Sequence, residues 1–311
     1  MSQSIVILGG TGFVGSHLVP RLVRSGHEVT LLSRNREKRR DSGVIPGVQV
    51  RTTDVFDRRA LEQHFASADT VVNMVGILTP HGRDTFQRVH VDLTATVIQA
   101  CRDAGVRRLH QMSSLKAGQG ESQYLKSRGA AEALVKASGL DWTIYEPSVI
   151  FGPGDGLVTR FAKLLRLAPV LPLARPHAKM APVFVGDVVE AIARCVDNRD
   201  ISSSRVFELY GPQVLELKQI VSEIRDVAGY KRAVLGLPDA LGRLQAQVAQ
   251  LVPGKPFTVD NFLSLKTDSV GKVDGLAALG INSAAFSPFL PLLLDKDERQ
   301  RRLDNARGMR R

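Results

Sequence analysis

The chain has 311 residues, 43% of them hydrophobic and 23% charged, with 42 Lys and Arg against 31 Asp and Glu for a net charge of +11. That describes a globular protein with a sizeable core, as one large domain or one domain with a smaller lobe, whose charge favours polyanionic partners. Two cysteines, Cys101 and Cys195, exclude a disulfide framework or a zinc cluster, and no apolar run reaches the roughly 18 residues of a spanning helix.

The N-terminal segment MSQSIVILGG has neither a basic start nor a small-residue cleavage site, and it enters a strand directly. No secretory leader is therefore expected. The expected location is cytoplasmic, or peripheral at the inner face of a membrane, and two buried free thiols agree with a reducing compartment. Apolar, β-rich runs predict strands at 4–8, 28–33, 48–52, 70–75, 108–112 and 142–146. Helical periodicity marks 13–24, 91–104 and 123–138, with Gly26 and Gly105 as stop signals. Pro20 inside the first helix predicts a kink or an unpaired carbonyl. Strands of this buried type, alternating with helices, predict an α/β fold: a doubly wound parallel sheet with helices on both faces.

After Pro147 the pattern loosens, and glycine and proline punctuate 152–182. Helices are expected near 157–167, 187–197, 215–228 and 238–251, and a short strand near 206–210. These predict a small C-terminal α+β lobe over the sheet edge. The expected division is 1–150 and 151–311, interleaved at that edge. Basic residues cluster at Arg34, Arg36, Lys38, Arg39 and Arg40, and again in the tail from Arg299 to Arg311. Each is either a solvated segment or a contact for an anionic membrane or protein partner.

The segment VILGGTGFVG holds the main chemical signal. Gly9 and Gly10 allow a tight turn, Gly12 lets the backbone approach a pyrophosphate, and Gly15 lets the helix pack closely. Thr11, Phe13 and Val14 complete the loop. The helix start then offers N–H groups to an anion. With a strand before it and a helix after it, this reads as a dinucleotide site. At the end of the second strand, Ser33 is followed by Arg34, where an NAD-preferring site usually has an acid for the ribose hydroxyl. Arg34, with Arg36 or Lys38, suits a 2′-phosphate instead. The preferred cofactor is therefore NADP(H), with NAD(H) as the alternative. Asp54 and Val55 follow the third strand, where a carboxylate can accept from an adenine amino group. Met74, Val75 and Gly76 follow the fourth, where a small residue lets the chain pass beneath the riboses.

At these residues the chain resembles the extended and atypical branches of the short-chain dehydrogenase/reductases. GGTGFVG, VNMVGIL, YLKSRGAAE, EPSVIFGPGD and PVFVGDVVEAI resemble the group that contains the NAD(P)H-binding accessory subunit of respiratory complex I and its bacterial relatives. The resemblance covers roughly residues 4–230. It implies a Rossmann-type fold with a small C-terminal lobe. It also implies a Tyr acid/base, a Lys four residues on that lowers the Tyr pKa and holds the nicotinamide ribose, and a Ser that orients the substrate oxygen. Tyr124 stands at the Tyr position and Arg128 at the Lys position. Lys126 does not replace that lysine, because i+2 on a helix points roughly 200° away. Arg128 can hold ribose hydroxyls but cannot relay a proton, because a guanidinium keeps its charge in proteins. Ser114 stands nearest the Ser position, or else only satisfies the strand end beside the nicotinamide, and Ser113 at the same strand end is expected among the cofactor-binding residues. Pro147, Ser148 and Val149 occupy the segment that passes the nicotinamide in the family. The loop 151–156 is a lid or a turn, and Asp187 reads as a helix N-cap. His81, His90 and His110 lack a paired spacing, so no metal site is expected.

Two readings follow. One is an NADP(H)-binding protein with weak or no turnover, in an accessory, assembly or sensing role near quinone-linked respiratory enzymes. The other is an active NAD(P)H-dependent oxidoreductase or epimerase, with Tyr124, Arg128 and Ser114 as its catalytic residues. A redox-sensing regulator on nucleic acid is a minor third, because no helix-turn-helix or aromatic-basic surface is visible.

Overall fold

The computed structural model describes residues 2–34 and 45–294. Arg36, Lys38, Arg39, Arg40 and the tail from Arg299 to Arg311 lie outside the described residues.

The first half is a strand–helix alternation. It runs β1 (Ser4–Leu8), α1 (Phe13–Arg24), β2 (Glu28–Ser33), β3 (Val48–Thr52), α2 (Arg58–Phe65), β4 (Thr70–Asn73), α3 (Leu93–Asp103), β5 (Arg108–Met112), α4 (Gln123–Lys136) and β6 (Asp141–Pro147). The second half holds β7 (Ile150–Phe151), α5 (Leu157–Leu167), β8 (Val170–Leu173), β9 (Lys179–Met180), β10 (Val183–Phe184), α6 (Val185–Asp197), α7 (Arg199–Ser202) and β11 (Arg205–Leu209). It continues with β12 (Leu215–Glu216), α8 (Leu217–Val227), β13 (Ala233–Gly236), α9 (Asp239–Ala249) and α10 (Val259–Ser264).

Seven strands form one parallel sheet in the order β11-β6-β5-β4-β1-β2-β3. The chain turns back across β1, and the crevice between β1 and β4 is where such sheets take ligands. β1 shows why the strands read as continuous apolar runs: Ile5 and Ile7 enter the core beneath α1 and α6, while Val6 and Leu8 enter the core beneath α2 and α3. A strand buried on both faces has no polar side. Cys101 and Cys195 sit in these two cores as free, buried thiols. Burial pushes their pKa values up to about 12 and about 11.

Beyond the short strands and helices of the second half that the sequence pattern does not mark, three differences from the sequence expectation bear on the main sheet and its helices. Helix α2 was not expected, because it is largely polar and buries only Leu61 and Phe65, one turn apart; Asp57 caps it by accepting from Arg59 and Ala60 N–H. The helix before α3 begins earlier, as a wide π-turn over Gln87–Asp92 that leads into Leu93. The strand expected near 206–210 extends the main sheet beside β6, and α6 packs on α1 in the helix layer over one face of that sheet. The second half thus supplies a strand and a helix to the first unit. Helix α1 runs through Pro20 unbroken. The carbonyl that Pro20 leaves without a donor belongs to exposed Ser16, where water can reach it.

The rest of the chain builds the smaller lobe. Its core joins Phe151, Val158, Leu165, Leu173, Ile220 and Phe286.

Candidate functional site

The glycine turn lies against the end of β4. Gly9 has φ +80°, and a Cβ there would stand 2.9 Å from the Met74 carbonyl carbon and the Val75 nitrogen. A side chain at Gly15 would stand 2.5 Å from the Gly10 Cα. These two glycines close the turn and set α1 directly on it. Gly12 is the N-cap residue of α1 and provides no side-chain cap. The helix therefore starts with exposed backbone, which is the geometry an anionic pyrophosphate needs. The loop after β7 lies alongside: His17 Nε2 is 2.9 Å from the Pro153 carbonyl oxygen. Asp155 accepts from Gly152 and Val158 N–H, which fixes 152–158 as a turn.

Tyr124 and Arg128 lie on one face of α4, with the guanidinium carbon 5.5 Å from the ring centroid. Lys126 faces solvent. Arg128 is buried, and its Nη1 donates to the Met112 carbonyl at 3.1 Å. Its Nη2 fills the space where a Cβ at Gly76 would be. Its Nε has no hydrogen-bond partner, and no carboxylate pairs with it among the described residues. Ser114 Oγ is likewise buried and unpartnered. Two unsatisfied polar groups at the carboxyl end of a parallel sheet are costly unless a ligand completes them.

His90 fixes the loop in front of this pair. Its Nε2 accepts from Ile77 N–H at 3.1 Å, and its Nδ1 lies 2.8 Å from Ser127 Oγ, which donates to the Tyr124 carbonyl. Burial and the nearby Arg128 hold His90 at about 3, so the ring is neutral. The ring also meets Tyr124 edge-on at 5.7 Å. The smaller lobe holds α4 from outside, where Asp260 accepts from Gln123 and Tyr124 N–H. In the sequence His90 is only a histidine without a metal-ligand spacing, and Asp260 carries no local signal. The i, i+4 signal of Tyr124 and Arg128 was local, whereas these supports come from distant segments.

Two serines on the expected path turn their hydroxyls elsewhere. Ser113 Oγ donates to Glu132 Oε1 at 2.6 Å, and Lys136 Nζ holds the other Glu132 oxygen at 3.0 Å. Burial and the Glu132 carboxylate push Glu146 up to about 7. Ser148 Oγ donates to the Ser269 carbonyl and receives Ala181 N–H, tying the end of β6 to the smaller lobe. The Pro147 and Val149 carbonyls accept from Leu115 and Val183 N–H, Ser148 N–H donates to the Leu209 carbonyl, and the Val149 side chain packs on the smaller-lobe core. Asp187 lies inside the first turn of α6, after the cap residue Phe184. It accepts from Ala284 N–H at 2.8 Å, so it joins two segments and is not the cap.

At the other end of the crevice lies a cavity of about 690 Å³. Arg34, Asp54 and Phe56 line one side, and His81, Arg83 and Arg88 the other. Arg34 Nη1 pairs with Asp84 at 2.9 Å, and Arg88 lies 4.2 Å above the Phe56 ring centroid. Asp54 Oδ1 accepts from Phe56 N–H at 3.0 Å. Thr53 N–H donates to the Ser33 carbonyl, aligning the ends of β2 and β3, while buried Val55 packs beneath. The basic side of this cavity comes from the segment HGRDTFQR, whose charge density was its only sequence signal. Among the described residues, no three His, Cys, Asp or Glu side chains are grouped to hold a metal ion.

A family model described as NAD(P)H-binding matches residues 9–159. The chain is 28% identical over 234 residues to the mitochondrial NADH-ubiquinone oxidoreductase 40 kDa subunit of Neurospora crassa, covering 74% of this chain and 61% of that one. It is 31% identical over 193 residues to a ceramide reductase of Caulobacter vibrioides, covering 61% and 60%. The match thus spans about three fifths of each relative. Among solved structures, an NADPH-dependent quinone oxidoreductase of Escherichia coli complexed with NADPH superposes with a TM-score of 0.76 at 19% identity, over 93% of this chain and 99% of that one. Likeness at that identity shows the fold.

Proposed function

Starting from a chain with the NAD(P)H-binding, epimerase/dehydratase-like fold of the short-chain dehydrogenase/reductases, we propose that it retains NADP(H) in an accessory, assembly or sensing role, with weak or no turnover. The observation that carries this reading is Arg128, a buried cation with one protein hydrogen bond, an unpartnered Nε and no carboxylate. Ribose hydroxyls and a polyanionic cofactor supply what it lacks. Gly12 and the start of α1 would take the pyrophosphate, and Arg34 the 2′-phosphate. The bound cofactor would supply hydride chemistry. Arg128 anchors and stays charged, but it cannot pass on a proton as a lysine can. Tyr124 then has no ammonium group behind it, since Lys126 points to solvent. The similarity to a mitochondrial NADH-ubiquinone oxidoreductase subunit supports a protein partner in a respiratory assembly.

The unpartnered Ser114 hydroxyl supports the second reading, an active oxidoreductase or epimerase with Ser114 orienting a substrate oxygen near Tyr124. One experiment separates the two. The purified protein is denatured, and its nucleotides are identified by chromatography, before and after incubation with quinones and sugar nucleotides. NADPH that stays reduced is the expected result. Oxidation by one compound would establish an enzyme, whereas activity that appears only in Arg128→Lys would identify the exchanged lysine as the part that turnover lacks. Absence of any bound or bindable nucleotide would refute both.

A further inference from the structure

Helix α9 packs the wrong way round for a surface helix. Its small residues Gly242 and Ala246 face the body, against Ala174 and Phe262. Its large apolar residues face out. Leu241, Leu244, Val248 and Val252 are each about half exposed, and Leu251 is 81% exposed. Spaced at i, i+3, i+7, i+10 and i+11, they form one stripe along the helix and the turn after it. A surface helix usually buries such a stripe.

The stripe does not stand alone. Gln245 Nε2 donates to the Pro172 carbonyl at 2.9 Å, which sets α9 beside β8. There β8 and its partner β13 expose Val170 and Leu235, and the end of α5 exposes Leu167. A monomer rarely exposes that many large apolar side chains on one helix and the strands beside it without a use for them.

The surrounding charge selects the partner. Residues 157–177 carry four basic side chains, Arg160, Lys163, Arg166 and Arg175, and no acidic one. Residues 228–258 carry Lys231, Arg232, Arg243 and Lys255 against Asp239 alone, which is paired with Arg175. A second copy of the chain would bring two basic rims together, which repel. An anionic surface with an apolar interior meets both the rim and the stripe.

We propose that this face of the smaller lobe docks on an anionic phospholipid bilayer, with α9 lying in the interface and its leucine stripe at the acyl boundary. The face also borders the candidate site. Past the stripe, Lys255 Nζ reaches the Pro80 carbonyl and Asn261 Nδ2 the Leu78 carbonyl, on the loop that follows Gly76. Docking would bring the mouth of the site close to the bilayer, whether or not the protein turns over substrate.

The test is sedimentation of the full chain with vesicles of phosphatidylcholine alone, or of equimolar phosphatidylcholine and phosphatidylglycerol, at physiological salt. The wild type is expected to sediment with the anionic vesicles only. Leu244→Asp/Leu251→Asp should lower the bound fraction by about tenfold or more with an unchanged thermal midpoint, because two apolar side chains leave the acyl boundary. Lys163→Glu/Arg243→Glu should weaken binding and its salt dependence, with the stripe intact. Equal behaviour on both vesicle types overturns the proposal, as does a double-aspartate variant that binds like wild type. A wild-type dimer that the aspartate variant dissociates would assign the face to self-association and would also overturn it.

Discussion

Replacing Arg128 by Met should move stability and cofactor affinity in different directions. Without ligand, the substitution removes one hydrogen bond, from Nη1 to the Met112 carbonyl, for a loss of about 1–2 kcal/mol. The contact with the Tyr124 ring adds about 0.5–1 kcal/mol. Against this, a buried charge with no counter-ion carries a desolvation penalty of several kcal/mol. The Met112 carbonyl keeps a donor, Gln111 Nε2 at 3.0 Å, so no new buried group is orphaned. Met fills similar space with an unbranched chain. The ligand-free variant should therefore unfold within about 1 kcal/mol of wild type, or later. With NADPH the balance reverses, since losing charge-assisted bonds to the cofactor costs about 1.5–3 kcal/mol, a roughly 10- to 150-fold weaker Kd. Denaturant unfolding and titration calorimetry read the two quantities separately. A variant destabilised by more than about 3 kcal/mol, with NADPH affinity unchanged, would make Arg128 a structural pin and refute the reasoning.

Gly76→Ala should weaken NADPH binding by about tenfold or more in the wild type, because its Cβ displaces the Arg128 guanidinium, yet have little further effect on Arg128→Met; additive losses would contradict that coupling. Arg34→Ala should weaken NADPH by about 10- to 100-fold and NADH far less, and equal losses would remove Arg34 from the 2′-phosphate. Glu146, pushed up to about 7 from 4.5, keeps a proton in the folded protein that the unfolded chain has lost. Its contribution to stability is thus present near pH 4.5 and lost as pH rises through 7. Glu146→Gln should match wild type below about pH 4.5, become progressively more stable than it up to about pH 7 and keep a constant advantage above that, and a difference that does not change across this window would exclude the titration.

The strands and the glycine turn were legible because their signals are local. Ile5 and Ile7, or Val6 and Leu8, are apolar whichever core they enter, and a buried parallel strand needs nothing else from its sequence. Tyr124 and Arg128 share a helix face by the geometry of one turn. Helix α2 escaped notice because only Leu61 and Phe65 report its burial. The strand 205–209 could be seen, but its place beside β6 could not, since any parallel edge would have accepted it. Ser113 and Ser148 were expected to face the cofactor. Their hydroxyls went instead to Glu132 and Ser269, partners 19 and 121 residues away, and hydrogen bonding of buried groups is decided by what packs against them.

The sequence by itself determined the periodicities, the turn that only glycine can make, and the exchange of lysine for Arg128, because these depend on backbone geometry and residue chemistry within a few positions. Only the tertiary structure decided that Arg128 fills the space at Gly76 with no acid to pair it, that the HGRDTFQR segment walls the cavity beside Arg34, and that α9 turns its leucines outward. Each of these is a relation between surfaces from distant parts of the chain, and burial belongs to the packed assembly, so no local pattern could contain it.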